Sequence, residues 1–103
     1  MTTIIEEHLS DIEALCGRYG VRRLAVFGSV VRGDFDVKKS DLDFLVEFAP
    51  MGPREHKEAY FSLIEGLEAL FSREIDLVEL RAVRNPFVKS RIEIDQETIY
   101  DAA

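Results

Sequence analysis

At 103 residues and 47% apolar content, the chain is long enough for one domain with its own core, and its composition shows no sign of disorder. Thirteen basic residues against twenty acidic ones leave a net charge of −7, which repels a nucleic-acid polyanion unless cations or a local basic patch intervene, so stable binding to DNA or RNA is not expected. Cys16 is the single cysteine and excludes an internal disulfide, the first residues lack a basic stretch leading into an apolar one, and no apolar run approaches the roughly 20 residues that cross a bilayer, so a cytoplasmic location without a membrane span is expected.

Ile5, Leu9, Ile12, Leu15, Cys16 and Tyr19 recur at helical spacing and predict an amphipathic helix from residue 3 to about 19, ended by Gly20. Residues 22 to 27 follow as a strand, whose apolar end Leu24-Ala25-Val26-Phe27 runs straight into Gly28-Ser29. The glycine lets the backbone come close to a bound anion. Ser29 is placed to cap a short helix, whose first N–H groups and dipole favour a phosphate. Residues 33 to 40 read as a polar loop and 42 to 48 as the next strand. Because side chains alternate along a strand, Asp41 and Asp43 share one side of it and face the place where the phosphate would sit.

Pro50, Gly52 and Pro53 then break the chain, and Tyr60, Leu63, Ile64, Leu67, Leu70 and Phe71 mark a second long helix. Residues 74 to 80 return as a third strand. Pro86 suits the first turn of a helix over 86 to 94 capped by Asn85, and residues 97 to 100 add a short final strand. No repeat or linker interrupts the order, so residues 1–103 read as one domain. So small a domain has room for a minimal catalytic sheet but not for a large substrate-binding domain beside it, which points to an acceptor supplied by another protein.

Asp76 lies inside the apolar run Ile75, Leu77, Val78, an unusual place for an acid. Were its strand to lie beside the one carrying Asp41 and Asp43, three carboxylates would converge. Two unit charges about 4 Å apart cost roughly 4 kcal/mol at an effective dielectric of 20, so three such pairs would cost on the order of 12 kcal/mol. That rivals the whole stability of a small domain, about 5–15 kcal/mol. Such a cluster holds protons or binds cations, and an all-oxygen ligand set selects hard ions such as Mg²⁺ or Mn²⁺.

The string Gly28-Ser29-Val30-Val31-Arg32-Gly33, followed by Ser40-Asp41-Leu42-Asp43 and then Asp76, resembles the signature of the nucleotidyltransferase superfamily shared with DNA polymerase beta. More narrowly, it resembles the minimal nucleotidyltransferases, which consist of little beyond this core. The likeness covers nearly the whole chain. It implies an α/β (α+β) fold with a small mixed β-sheet flanked by helices, and ATP as substrate with two Mg²⁺ ions, replaceable by Mn²⁺. It implies Asp41, Asp43 and Asp76 as catalytic metal ligands, Gly28 and Ser29 on the β and γ phosphates, and Arg32 and Ser40 as further nucleotide-binding residues. It also implies an antitoxin role, in which AMP is moved onto a tyrosine of a HEPN-family toxin and the two chains form a hetero-oligomer. An acidic chain suits a basic, RNA-binding partner.

Two other functions are compatible with the same residues: an antitoxin that neutralises its toxin by occlusion alone, and a small-molecule nucleotidyltransferase of the aminoglycoside-inactivating kind, for which the chain leaves no residues to build an antibiotic-binding domain. Plainer readings also stand beside the motif residues. Asp41 with Ser40 could be a turn before a strand, Asp43 and Asp76 could be edge charges that discourage aggregation, and Arg32 could be a solvated helix charge. Lys38 and Lys39 read as loop charges, His8 and His56 as surface residues, Cys16 and the stripe from Tyr60 to Phe71 as core. Glu47 continues the Asp41–Asp43 face but lies too far along to join them.

Overall fold

The computed structural model describes residues 3–33 and 41–102. Its sheet is built from β1 (Val21–Phe27), β2 (Leu42–Phe48), β3 (Ile75–Val78) and β4 (Glu97–Asp101). β1 pairs antiparallel with β2 on one side and with β4 on the other, while β3 runs parallel to β2, giving the order β3-β2-β1-β4. This is the small mixed sheet expected. β3 is shorter than the predicted 74–80, because beyond Val78 the chain turns into a short 3-10 segment at Leu80–Ala82.

Strand alternation divides the sheet into two unequal faces. Leu24, Val26, Leu42, Phe44, Val46 and Leu77 point to one side and join a continuous core with residues of α2 (Leu9–Arg18) and α4 (Pro53–Phe71). Ile12, Cys16, Leu63 and Leu67 from these helices are fully buried there. Burial, with Glu13 nearby, pushes the Cys16 thiol up to about 12, which suits a packing residue rather than a reactive one. α2 and α4 approach closely at Gly66, where a Cβ would come within 2.7 Å of Leu15 Cδ2. Among the described residues the opposite face is only thinly covered: Ala25 and Leu45 pack with Ile92 of α5 (Pro86–Asp95) in a small separate cluster.

The first helix is interrupted. The spacing predicts one helix over 3–19, whereas the chain forms α1 (Thr3–Glu6) and α2 with His8 between them. His8 is half-buried, its backbone N–H donates to Ile5 O at 3.0 Å, and its Nδ1 lies 2.9 Å from Ile4 O. The ring also packs 4.9 Å from that of Phe71. It is therefore a local competitor for the helix ladder and not the surface residue its lack of metal spacing suggested. Ile5 and Ile12 stay buried across the break, so the apolar period does not register it.

His56 departs from expectation in the same way. It is half-buried on α4, with Nε2 2.6 Å from Glu79 Oε1 and its ring edge-on to Phe48. Nearby, the Tyr60 hydroxyl donates to Leu77 O and ties β3 to α4. Burial, then the charges of Glu79 and Asp76, raise the Tyr60 phenol above its ordinary value, which keeps it a donor. Among the described residues no helix is long and apolar enough to cross a membrane.

α5 opens as the sequence predicts, with Pro86 in its first turn and Asn85 Oδ1 accepting from Phe87 N at 2.9 Å and Val88 N at 3.3 Å. Replacing Asn85 with Ala is expected to cost about 1 kcal/mol. Leu67→Ala, which hollows the main core, is expected to cost about 2–5 kcal/mol. Urea unfolding midpoints of the two variants test the ranking, and an Asn85→Ala loss as large as that of Leu67→Ala would contradict the picture of a thinly held α5.

Candidate active site

Gly28 ends β1 with φ 77° and ψ −144°, a left-handed backbone that only glycine adopts without strain. The space is closed to a side chain as well. A Cβ at Gly28 would lie 3.2 Å from Asp43 Cγ and far inside contact distance of its Oδ2. This corner leads into α3 (Ser29–Arg32), whose first internal bonds run from Val31 N and Arg32 N to Gly28 O. Gly28, not Ser29, therefore occupies the capping position, because the turn that only glycine allows comes one residue earlier than the hydroxyl. Ser29 is the first helical residue, and its amide and that of Val30 fall outside the helix's own ladder.

The parallel register sets Asp43 of β2 directly opposite Asp76 of β3, and the antiparallel register sets Asp43 opposite Phe27, next to Gly28. Both carboxylates lie on the thinly covered face, since Leu45, two residues after Asp43, and Val78, two after Asp76, belong to the small cluster under α5. The apolar neighbours of Asp76 lose their oddity in this light: Leu77 turns into the main core while Asp76 turns out and is exposed. Asp43 is half-buried. Burial first, then the charges of Asp76 and Asp41, raise its carboxyl above the usual range, while the Arg32 guanidinium pulls the other way.

Asp41 is exposed, just before the first residue of β2, close enough to act on Asp43 electrostatically. Among the described residues, however, no three His, Cys, Asp or Glu side chains form a ready-made metal cage. The anticipated convergence is thus a close pair, Asp43 and Asp76, with Asp41 at its rim. Two exposed carboxylates out of three also mean that water screens most of the repulsion, so the 12 kcal/mol expected for a tight trio is far too high. The donor set still fits a hard divalent cation in its chemistry: it is all oxygen and anionic, and a positive charge would relieve Asp43. Ser40 lies outside the described residues. Arg32 is bound to Asp95 of α5, Nη1 to Oδ2 at 3.4 Å. Glu47 sits away from the pair, 3.3 Å from Arg22.

The glycine corner and the carboxylate pair open onto a cleft of about 590 Å³. Gly28, Arg32, Asp43 and Asp76 line its polar part, and Phe87, Val88, Arg91 and Asp95 of α5 line the rest. The sequence places a helix there but gives it no role. The signal was faint: Phe87 and Val88 are two apolar residues at the start of a helix that has no clear apolar stripe, because Arg91 and Asp95 share their face.

Comparisons with known proteins identify the family. The model of the nucleotidyltransferase domain family matches residues 11–99. The chain is 37% identical over 98 residues to protein adenylyltransferase MntA of Thermococcus cleftensis, covering 95% of this chain and 89% of that one. In structure it is similar to a chain of a toxin-antitoxin crystal structure with AMP-PNP, with a TM-score of 0.68 and 20% identity over 91% of this chain and 73% of that one. It is also similar to a chain of the structure of a tri-AMPylated Shewanella oneidensis HEPN toxin in complex with MNT antitoxin, with a TM-score of 0.65, 17% identity and coverage of 94% and 72%. With a family model spanning most of its length and a glycine corner set against paired aspartates, the chain belongs to the nucleotidyltransferase domain family.

Proposed function

We propose that this chain, acting as a single domain, transfers AMP from ATP to a tyrosine hydroxyl of a HEPN-type toxin and thereby serves as its antitoxin. The observation that carries the reading is the juxtaposition of Asp43 with Asp76 across parallel strands, beside a glycine corner that no side chain can enter. The likeness to a protein adenylyltransferase over nearly the whole chain supports it. So does the net charge of −7, which would attract a basic, RNA-handling partner.

In this reaction the acceptor oxygen attacks the α-phosphorus of ATP. The O–H bond of the tyrosine and the bond from the α-phosphorus to the bridging oxygen break, leaving adenylylated tyrosine and pyrophosphate. Asp76, exposed at the open side of the pair, takes the hydroxyl proton. Gly28 and Ser29 hold the β and γ phosphates through the backbone, and Arg32, beside Asp43, adds a positive charge. Asp41, Asp43 and Asp76 would hold two Mg²⁺ or Mn²⁺ ions, which when bound supply charge stabilisation for the attacking and leaving oxygens.

Incubation with labelled ATP, Mg²⁺ and a HEPN partner is expected to label the partner. Asp43→Asn and Asp76→Asn are each expected to reduce labelling by at least about a hundredfold, the range typical of a lost general base or metal ligand. If Asp43→Asn labels as well as the original chain, the assignment is wrong. If it labels nothing yet still rescues toxicity, occlusion replaces catalysis.

Gly28→Ala should lose both ATP binding and labelling, because the methyl group must displace Asp43 and strain the backbone. Titration calorimetry with ATP checks this, and unchanged affinity would contradict the phosphate role of the corner. In chelator at neutral pH, Asp43→Asn should melt higher than the original. Burial and two neighbouring carboxylates disfavour the charged form of Asp43 in the folded state, and the substitution removes that charge. A lower melting temperature would place Asp43 in the supporting structure instead.

A further inference from the structure

The cleft has two chemically distinct ends, a polar one at Gly28 and the carboxylates and a largely apolar one along α5. Along α5, residues 87, 88, 91, 92 and 95 fall on one helical face. Ile92 anchors that face in the small cluster against Ala25 and Leu45. Phe87 and Val88 line the cleft yet are 84% and 47% exposed, a large ring and a branched side chain left open to water. Val83 completes this apolar wall from the preceding segment. Ile94, also exposed, is not among the cleft-lining residues.

Four observations say what covers the wall. It is continuous with the polar end, through Phe27 before Gly28 and Val78 beyond Asp76, so a single ligand can reach both. The cleft, about 590 Å³, is of small-ligand size, whereas a stable protein contact needs about 800 Å² on each partner. Phe87 is also held in place: Asn85 caps its backbone N–H, so the ring starts from a fixed helix end. The nearby charged side chains are engaged, Asp95 with both Arg32 at 3.4 Å and Arg91 at 3.8 Å, which leaves little to read the edge of a base.

We propose that Phe87, with Val83 and Val88 beside it, is the platform on which the nucleobase of the donor nucleotide stacks while its triphosphate lies at Gly28. The inference rests on the nucleotidyltransferase reading and adds the base site to it. An aromatic ring against a base face is sequence-tolerant, since every base presents a π-face, and it rewards the larger area of a purine. The site therefore holds ATP and GTP by the same contact and CTP by a weaker one.

The test compares the 103-residue chain with its Phe87→Ala, Phe87→Leu and Phe87→Trp variants, titrated by calorimetry with ATP, GTP, CTP and inorganic tripolyphosphate in the presence of Mg²⁺. Because Phe87 is exposed, the variants are expected to keep the melting temperature of the original. Phe87→Ala should weaken ATP and GTP alike by about tenfold or more, Phe87→Leu by less, and Phe87→Trp should bind at least as well as the original, while tripolyphosphate binds all four chains equally. The proposal is overturned if Phe87→Ala binds ATP as tightly as the original, or loses tripolyphosphate to the same degree. It is also overturned if Phe87→Ala keeps ATP affinity but labels a HEPN partner poorly, which would assign the ring to the acceptor protein. If the original chain binds neither ATP nor tripolyphosphate, the nucleotidyltransferase reading falls first and the base platform with it.

Discussion

The parallel pairing of β2 with β3 is the constraint on which the site depends, because it sets Asp43 against Asp76. Side chains alternate along a strand, so a slip of one residue would turn Asp76 into the main core and bring Leu77 out of it. That exchange buries a carboxylate and exposes a residue now only 4% accessible. The register is thus held by the hydrophobic effect on one face while its product is displayed on the other. Two further bonds fix the edge strand: Leu42 N donates to Glu74 O at 3.4 Å, and the Tyr60 hydroxyl donates to Leu77 O.

The unequal faces of the sheet divide stability from chemistry. Two helices seal one side with the fully buried Ile12, Cys16, Leu63 and Leu67 and the almost fully buried Phe71. Among the described residues the other side carries Ala25, Leu45 and Ile92 as its buried cluster, and the backbone corner and the carboxylates lie beside it. A second full layer there would strengthen the domain and close the site. α5 is a compromise, anchored at Ile92 and splayed at Phe87, where it forms one wall of the cleft.

Electrostatics at the site are milder than three adjoining carboxylates imply, and the reason is exposure. Asp41 and Asp76 face water, while burial and its neighbours disfavour the charged form of half-buried Asp43. Arg32 offsets part of that cost, and Asp95 in turn holds Arg32 against α5. A chain of alternating charge therefore links the carboxylate pair to the helix that walls the cleft. The arrangement tolerates like charges without a tight cage, at the price of a fold somewhat less stable than its core alone would allow.

Much of this was written in local patterns. The apolar period gave α2 and α4, the run into Gly28 gave the end of β1, and Pro86 with Asn85 gave the start of α5, since each signal lies within a few neighbouring residues. The break at His8 was not legible, because Ile5 and Ile12 keep the same facing across it, and His56 gave no sign of its contact with Glu79, 23 residues away. The sequence by itself determined which residues carry charge, which turn needs glycine and which segments form strands and helices, all properties of covalent structure and short-range periodicity. Only the tertiary structure decided that Asp43 meets Asp76, that Gly28 has no room for a methyl group, and that Phe87 lines the same cleft as all three, because contacts between distant segments are set by how the two faces of the sheet are covered and not by any spacing along the chain.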